Sequence, residues 1–254
     1  MKYAIVTVPA AAVRKKPDHR KEMSNQLLFG ETVKVLKQKS DRWLKVESLY
    51  DGYTGWLTTH LVTGINKPVP KEKIYLAPHL LTKIYWGAQT VHIPTGAVLP
   101  DFKDQKGAIA GKEYILEEAP LDPSAVTDKA GQLVQNAMAW LNAPYLWGGK
   151  TILGVDCSGF SQVMYKLIGI AIARDAWQQA QQGRLIKDLA KALPGDLAFF
   201  DDKDEIVHVG ILLGPGSIIH AAGKVRIDRI DKKGIINTDT GKRTHYLKLI
   251  RRFF

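Results

Sequence analysis

The stretch L-W-G-G-K-T-I-L-G-V-D-C-S-G-F-S-Q-V-M-Y-K-L-I, residues 146–168, joins a glycine-rich loop to an amphipathic segment. The change of texture falls at Asp156-Cys157 and predicts a helix whose first turn holds the chain's single cysteine. A helix N-terminus carries partial positive charge and unpaired N–H groups, and both favour thiolate over thiol. The thiolate is the nucleophilic form. The ordinary alternative for an unpaired cysteine is a small buried hydrophobe. What separates the two is whether a base stands within reach, with a further group to orient it.

Working outward, two histidines fall in one candidate hairpin, H-V-G-I-L-L-G-P-G-S-I-I-H (208–220). If the connection is the three residues Gly214-Pro215-Gly216, Leu213 faces Ser217 and His220 sits opposite Gly210. His208 then lies diagonally from His220 on the same face. A four-residue loop would put the two rings on opposite faces. In the first arrangement His208 is the base toward Cys157, and His220 holds the other imidazole nitrogen. Asp156, one residue before the cysteine, suits a helix N-cap. His19, His60, His79, His92 and His245 show no partner pattern and read as surface or structural. There is no H-E-x-x-H, no C-x-x-C and no spaced acidic cluster, so no metal site and no cofactor is expected.

The surrounding elements give an α+β domain over 121–254. Apolar spacing predicts a helix over 125–141, ended by Asn142-Ala143-Pro144, and a short helix over 174–182, ended by Gly183. After P-G-D (194–196) the chain reads as strands: L-A-F-F, H-V-G-I-L-L, S-I-I-H-A, K-V-R-I and H-Y-L-K-L-I-R-R-F. Helices first and then antiparallel strands is the α+β order. Residues 1–63 are short apolar runs broken by turns, which predicts a small β-barrel. Asp51-Gly52 marks a hairpin between W-L-K-V and Y-T-G-W-L. Residues 64–120 start with K-P-V-P-K-E-K (67–73), a linker, and read as a second, divergent barrel.

The chain has 254 residues, 45% hydrophobic and 24% charged, as expected of two or three globular domains. One cysteine excludes a disulfide framework. No apolar run approaches the roughly 20 residues that span a bilayer. M-K-Y-A-I-V-T-V-P alternates like a first strand rather than a signal peptide. With Met1 as the native start the protein is expected in the cytoplasm; with a removed leader, outside it. The formal net charge of +11 comes from dispersed basic residues. They form no aromatic-interleaved stripe, so nucleic acid is not an expected partner. Anionic material such as cell-wall polymer suits the charge, as does plain surface solubility.

Six motifs in order carry a family resemblance over residues 126–235. They are P-Y-L-W-G-G (144–149), G-V-D-C-S-G-F (154–160), A-R-D-A-W-Q-Q (173–179), P-G-D-L-A-F-F (194–200), H-V-G-I-L-L-G (208–214) and I-I-H-A-A-G-K-V (218–225). This set resembles the NlpC/p60 family of cell-wall cysteine peptidases. The resemblance implies a papain-like domain, helices packed on an antiparallel sheet, with Cys157 as nucleophile, His208 as base and His220 as third member. It also implies a peptidoglycan-derived peptide as substrate. R-K-K-P (14–17), G-E-T-V-K-V-L (30–36), W-L-K-V (43–46) and G-Y-T-G-W-L (52–57) resemble a bacterial SH3-like domain.

Two SH3-like barrels, 1–63 and 64–120, ahead of a 121–254 catalytic domain resemble the γ-D-glutamyl-L-diamino acid endopeptidases. That likeness implies peptides with a free N-terminal L-Ala. It places Tyr145 beside the nucleophile, Asp156 and Ser158 at the substrate amine, and Arg174 on the D-glutamyl carboxylate. It also places Glu22, as a buried carboxylate from the first barrel, on the free ammonium, with Tyr53 lining the groove. The alternative is an autolysin acting on intact stem peptides, with the barrels as wall anchors. Ala173 stands where many relatives carry Pro, and Ala176 where some carry Ser.

Overall fold

The computed structural model describes residues 1–70 and 74–254. The chain divides into two compact units, Met1–Ala125 with Trp147–Ile152, and Val126–Leu146 with Leu153–Phe254.

In the first unit the short alternating runs form β1 (Tyr3–Val6), β2 (Ala10–Arg14), β3 (Met23–Leu28), β4 (Thr32–Gln38), β5 (Trp43–Ser48), β6 (Thr54–Thr58) and β7 (Val62–Ile65). They hydrogen-bond in the order β3-β2-β6-β5-β4-β1-β7. The period of two is visible in β2, where Ala11 and Val13 are buried and their neighbours are not. The anticipated hairpin is the β5–β6 pair, with Trp43 opposite Thr58 and Glu47 opposite Thr54. Its turn passes through Gly52 at φ 74°, a left-handed conformation that glycine adopts without steric cost.

Six further strands follow in this unit: β8 (Tyr75–Leu76), β9 (Leu81–Trp86), β10 (Gln89–Pro94), β11 (Val98–Leu99), β12 (Lys106–Ile109) and β13 (Lys112–Ile115). They form a sheet ordered β10-β9-β13-β12 and a β11-β8 pair. Their core, with Ile84, Ile93 and Tyr114, also contains Ile5, Leu28 and Phe29 from the first 63 residues. Of the expected linker 67–73, residues 71–73 lie outside the described residues. β14 (Lys150–Thr151) belongs to this unit too. The Lys150 N–H donates to Gln26 Oε1 at 2.8 Å, and its buried ammonium lies 3.8 Å from Glu31.

The second unit holds α1 (Lys129–Met138), β15 (Gly154–Val155), α2 (Cys157–Leu167) and α3 (Ala176–Gln179). The strands β16 (Arg184–Ile186), β17 (Leu197–Asp202), β18 (Glu205–Gly214), β19 (Ser217–Ala222), β20 (Lys224–Asp231), β21 (Gly234–Ile236) and β22 (Arg243–Arg252) follow. Their order is β16-β22-β17-β18-β19-β20-β21, and β21 also pairs with β22, so the strands from β22 round to β21 form a closed ring. Every residue of α2 is buried, including Gln162 and Lys166.

Two helices are shorter than their periodicity suggests, and caps set where both start. Asp128 accepts from the Gly131 N–H and starts α1 at Lys129, four residues into the expected span. Asp175 and Gln178 make a capping box that starts α3 at Ala176, so the expected helix over 174–182 is a single turn over 176–179. The strands β16 and β21 were not anticipated. Among the described residues, no helix is long and apolar enough to cross a membrane.

Candidate active site

Asp156 sets the start of α2. Its backbone is extended at φ −95° and ψ 173°, and Oδ1 accepts the Gly159 N–H at 2.6 Å. Arg174 clamps the same carboxylate from the other side. Nη1 donates to Asp156 Oδ1 at 3.0 Å and Nη2 to Oδ2 at 2.6 Å. Nη1 also donates to Ser158 Oγ at 2.8 Å. Arg174 is 2% exposed. The guanidinium fork expected to meet a substrate carboxylate is therefore engaged on Asp156 and Ser158. Both oxygens of Asp156 are likewise in use.

Cys157 occupies the first position of α2 and is buried. Burial pushes its thiol up to about 12, and the charge of Asp156 adds to the rise. The N–H groups of Val209 and Ser158 and the charge of Arg174 pull the other way and are outweighed. The thiolate expected from the helix start alone is thus opposed: desolvation of a sulfur among buried residues exceeds what the helix end supplies. The Val209 N–H places the sulfur beside β18, next in sequence to His208.

The β18–β19 register decides where the histidines go. Ile211 pairs with Ile219 and Leu212 with Ile218, but Gly214 pairs with Ser217. The turn is therefore the two residues Pro215-Gly216, not three, and Leu213 is an extra residue in the ladder. The bulge restores the parity that the shorter turn removes. The outcome for the rings is the one expected. His208 Nε2 lies 2.8 Å from His220 Nδ1, with the rings edge to face.

Gly210 makes room for this pair. A β-carbon there would sit 2.7 Å from Ile218 Cδ1 and 2.8 Å from His220 Cβ. Gly210→Ala is expected to shift His220, cost about 1–3 kcal/mol through overpacking and lower kcat roughly tenfold to 100-fold through misplacement. Thermal melts and turnover of the purified variant check both.

Two groups that sequence reasoning missed complete the cluster. His220 Nε2 lies 3.0 Å from Oδ2 of buried Asp228. Burial opposes ionisation of Asp228. Hydrogen bonds from His220, Arg226 and the Thr238 N–H outweigh it and hold the carboxyl well below the usual range. His245, expected to be unpartnered, stacks on His208 with ring centroids 4.2 Å apart and planes at 24°. Burial, then His220 and His245, lowers His208 well below its ordinary value. His245 is lowered to about 4, by burial and then by His220. At neutral pH the site accordingly holds the Cys157 thiol beside the neutral rings of His208 and His245.

Tyr145 is half-buried, its N–H donating to Gly223 O at 3.0 Å. Burial raises its phenol first, and the charges of Cys157 and Asp156 raise it further. In the first unit, Glu22 is exposed rather than buried. It immediately precedes β3, where the chain turns into the sheet and leaves the side chain in solvent. Oε2 pairs with Lys15 at 2.8 Å and Oε1 accepts the Trp147 Nε1–H at 2.8 Å. Those two partners, Lys15 first, lower its carboxyl. Tyr53 packs on the core of the β1–β7 sheet, and its hydroxyl donates to Ser24 O at 3.3 Å. Among the described residues no group of three or more His, Cys, Asp or Glu side chains is arranged to hold a metal ion.

Residues 142–244 match the NlpC/P60 family, and residues 13–60 match the bacterial dipeptidyl-peptidase Sh3 domain. The chain is similar to the gamma-D-glutamyl-L-lysine dipeptidyl-peptidase of Bacillus subtilis (strain 168). The two are 30% identical over 217 residues, covering 78% of this chain and 72% of that one. It is also similar to the gamma-D-glutamyl-L-lysine dipeptidyl-peptidase of Bacillus cereus (strain ATCC 10987 / NRS 248), 27% identical over 257 residues, 88% of this chain and 75% of that one. In fold it matches the crystal structure of an NlpC/P60 family protein from Bacillus cereus ATCC 10987. The TM-score is 0.80 over 98% of this chain and 99% of that chain, at 22% identity. The architecture is a papain-like fold with an N-terminal SH3 domain. With its cysteine and histidine motifs inside the matched segment and this likeness running through most of a curated relative, the chain belongs to the NlpC/P60 family.

Proposed function

We propose that this protein is a cysteine endopeptidase. It hydrolyses the bond between γ-D-glutamate and an L-diamino acid in peptidoglycan-derived peptides that have a free N-terminal L-alanine. One observation carries the reading: the only sulfhydryl lies at the start of a buried helix, against the N–H that follows His208, and His208 is hydrogen-bonded to His220. The relatives named gamma-D-glutamyl-L-lysine dipeptidyl-peptidase support the substrate class.

In this mechanism the thiol of Cys157 gives its proton to His208 as the sulfur attacks the γ-carbonyl carbon of D-glutamate. The oxyanion of the tetrahedral intermediate is stabilised at the start of α2, where the Cys157 N–H is free of helix bonding. On collapse the C–N bond breaks, and His208 passes its proton to the departing amine of the diamino acid. A water then loses a proton to His208 and attacks the thioester. The C–S bond breaks and the sulfur regains its proton. His220 holds the ring of His208 throughout.

Tyr145, Asp156 and Ser158 are the proposed walls of the substrate pocket, and Arg174 fixes Asp156 and Ser158 in place. Glu22 is the proposed acceptor for the substrate ammonium, with Tyr53 as a further groove residue. Its pair with Lys15 is surface-exposed, and such pairs contribute little, so exchange of one ammonium for another is easy. Residues 1–63 and 64–120 are proposed as two SH3-like barrels preceding the 121–254 peptidase domain.

The test compares L-Ala-γ-D-Glu-L-Lys with its N-acetylated form. A site built around an ammonium is expected to favour the free peptide by at least about 100-fold in kcat/KM. Equal turnover removes the free-amine requirement and the role of Glu22. Release of stem peptides from purified sacculi at a matching rate favours the autolysin reading. No cleavage of any of them overturns the proposal.

A further inference from the structure

The hydrogen-bond chain does not end at His220. Three donors and one histidine nitrogen converge on the two oxygens of Asp228. His220 Nε2 and Arg226 Nε meet Oδ2 at 3.0 and 2.8 Å. Arg226 Nη2 and the Thr238 N–H meet Oδ1 at 2.9 and 2.8 Å. A guanidinium and a backbone amide only donate. The two-pronged Arg226 guanidinium and the Thr238 N–H hold Asp228 as an anion. The hydrogen in the 3.0 Å contact therefore sits on His220 Nε2. With that as the ring's one N–H, His220 Nδ1 is left as a bare acceptor. The 2.8 Å contact between the rings also needs one hydrogen, and His208 Nε2 supplies it. His208 Nδ1 is then the unprotonated nitrogen.

The geometry points to Asp228 as a positioning residue that selects, through two successive hydrogen bonds, which nitrogen of His208 acts as the base. This rests on the proposed roles of Cys157 and His208. The ionisable groups facing His220 are His208 from β18, Asp228 and Arg226 from β20, and His245 from β22, its ring centroid 5.9 Å away. Arg226 is itself paired with Asp239 at 2.9 Å. Because Arg226 neutralises Asp228, the pair supplies hydrogen-bond direction rather than a field that would charge the rings. The same pairing suits its position: a bare buried carboxylate would be costly, and this one has all its donors in place.

Asp228→Asn is the sharp test, since it is nearly isosteric. With its amide oxygen on Arg226 Nη2 and the Thr238 N–H, its NH2 takes the place of Oδ2, so Arg226 Nε loses its acceptor and His220 Nε2 is made to accept. The His220 proton moves to Nδ1, His208 Nε2 accepts, and His208 Nδ1 becomes protonated. A wrong-tautomer change of this kind in a serine-protease triad costs about 10^4-fold in kcat. One hydrogen bond further out, the expected loss is about 100-fold in kcat, with KM within about twofold.

15N spectra of histidine-labelled protein read the tautomers directly. Wild-type His220 is expected with Nε2 protonated and Nδ1 bare, and D228N with the reverse. A wild-type His220 protonated at Nδ1 overturns the inference without any variant. So does D228N at wild-type kcat, or a D228N that loses activity with unchanged tautomers. Carbamidomethylation of Cys157, followed by mass, is expected to slow at least tenfold in D228N. That arm needs no peptide: if no peptide is cleaved by the wild type, the proposed function fails while the relay is still read at the thiol.

Discussion

Cys157→Ala is expected to leave the protein folded and to remove peptidase activity by at least about 10^4-fold. Cys157 is buried at the first turn of α2, and alanine is the best helix former, so the backbone has no reason to move. The lost sulfur removes a small apolar volume, worth about 1 kcal/mol. Turnover of the free tripeptide and a thermal melt separate the two effects, and retention of even 1% of wild-type kcat sinks the nucleophile assignment. The pH dependence of the wild type has a definite sign. With the thiol pushed up to about 12 and His208 lowered, raising the pH draws protons from sulfur only gradually. Below that value each pH unit multiplies the thiolate about tenfold. Iodoacetamide labelling of the substrate-free enzyme is therefore expected to rise continuously from about pH 6 to pH 9. A plateau already reached near pH 6 would show a thiolate–imidazolium pair at rest and contradict the neutral site.

Arg174→Ala is expected to cost about 3–5 kcal/mol, because it strands a buried carboxylate. Asp156 loses both Nη contacts, Ser158 loses its donor, and the charge left behind sits next to the nucleophile. The thermal transition should fall by roughly 10 °C or more. Arg174→Met combined with Asp156→Asn is expected to recover at least half of that loss. It removes both charges together, and asparagine still caps α2. Urea titrations of the single and double variants make the comparison; equal stability of the two would show that the ion pair is not what Arg174→Ala breaks.

The parts of the site that lie close in sequence were legible. The composition change at Asp156-Cys157 placed the start of α2, and the W-L-K-V and Y-T-G-W-L runs placed the β5–β6 hairpin. The two histidines came out on one face although the turn was read one residue too long, because the bulge at Leu213 repaired the parity. Asp228 was within reach of the same reasoning. Ala222 pairs with Lys224 around Gly223, and His220 pairs with Arg226, so a count from that turn puts Asp228 diagonal to His220 on the same face. His245 was not within reach. It comes from β22, which is brought to the β17–β18 pair only by the sheet order, a non-local outcome that no local pattern announces. The thiol's protonation escaped for a related reason: a helix start is a local property, whereas the burial that outweighs it is supplied by the whole unit.

α2 is buried along its whole length from Cys157 to Leu167. Amide hydrogens on such a segment exchange with water only when the surrounding structure opens on a large scale. The reactive sulfur is thus rooted in a slowly breathing part of its unit, not on a pliable rim. Changes that loosen this helix will be felt twice, once as a shorter working life when warmed and once as slower turnover.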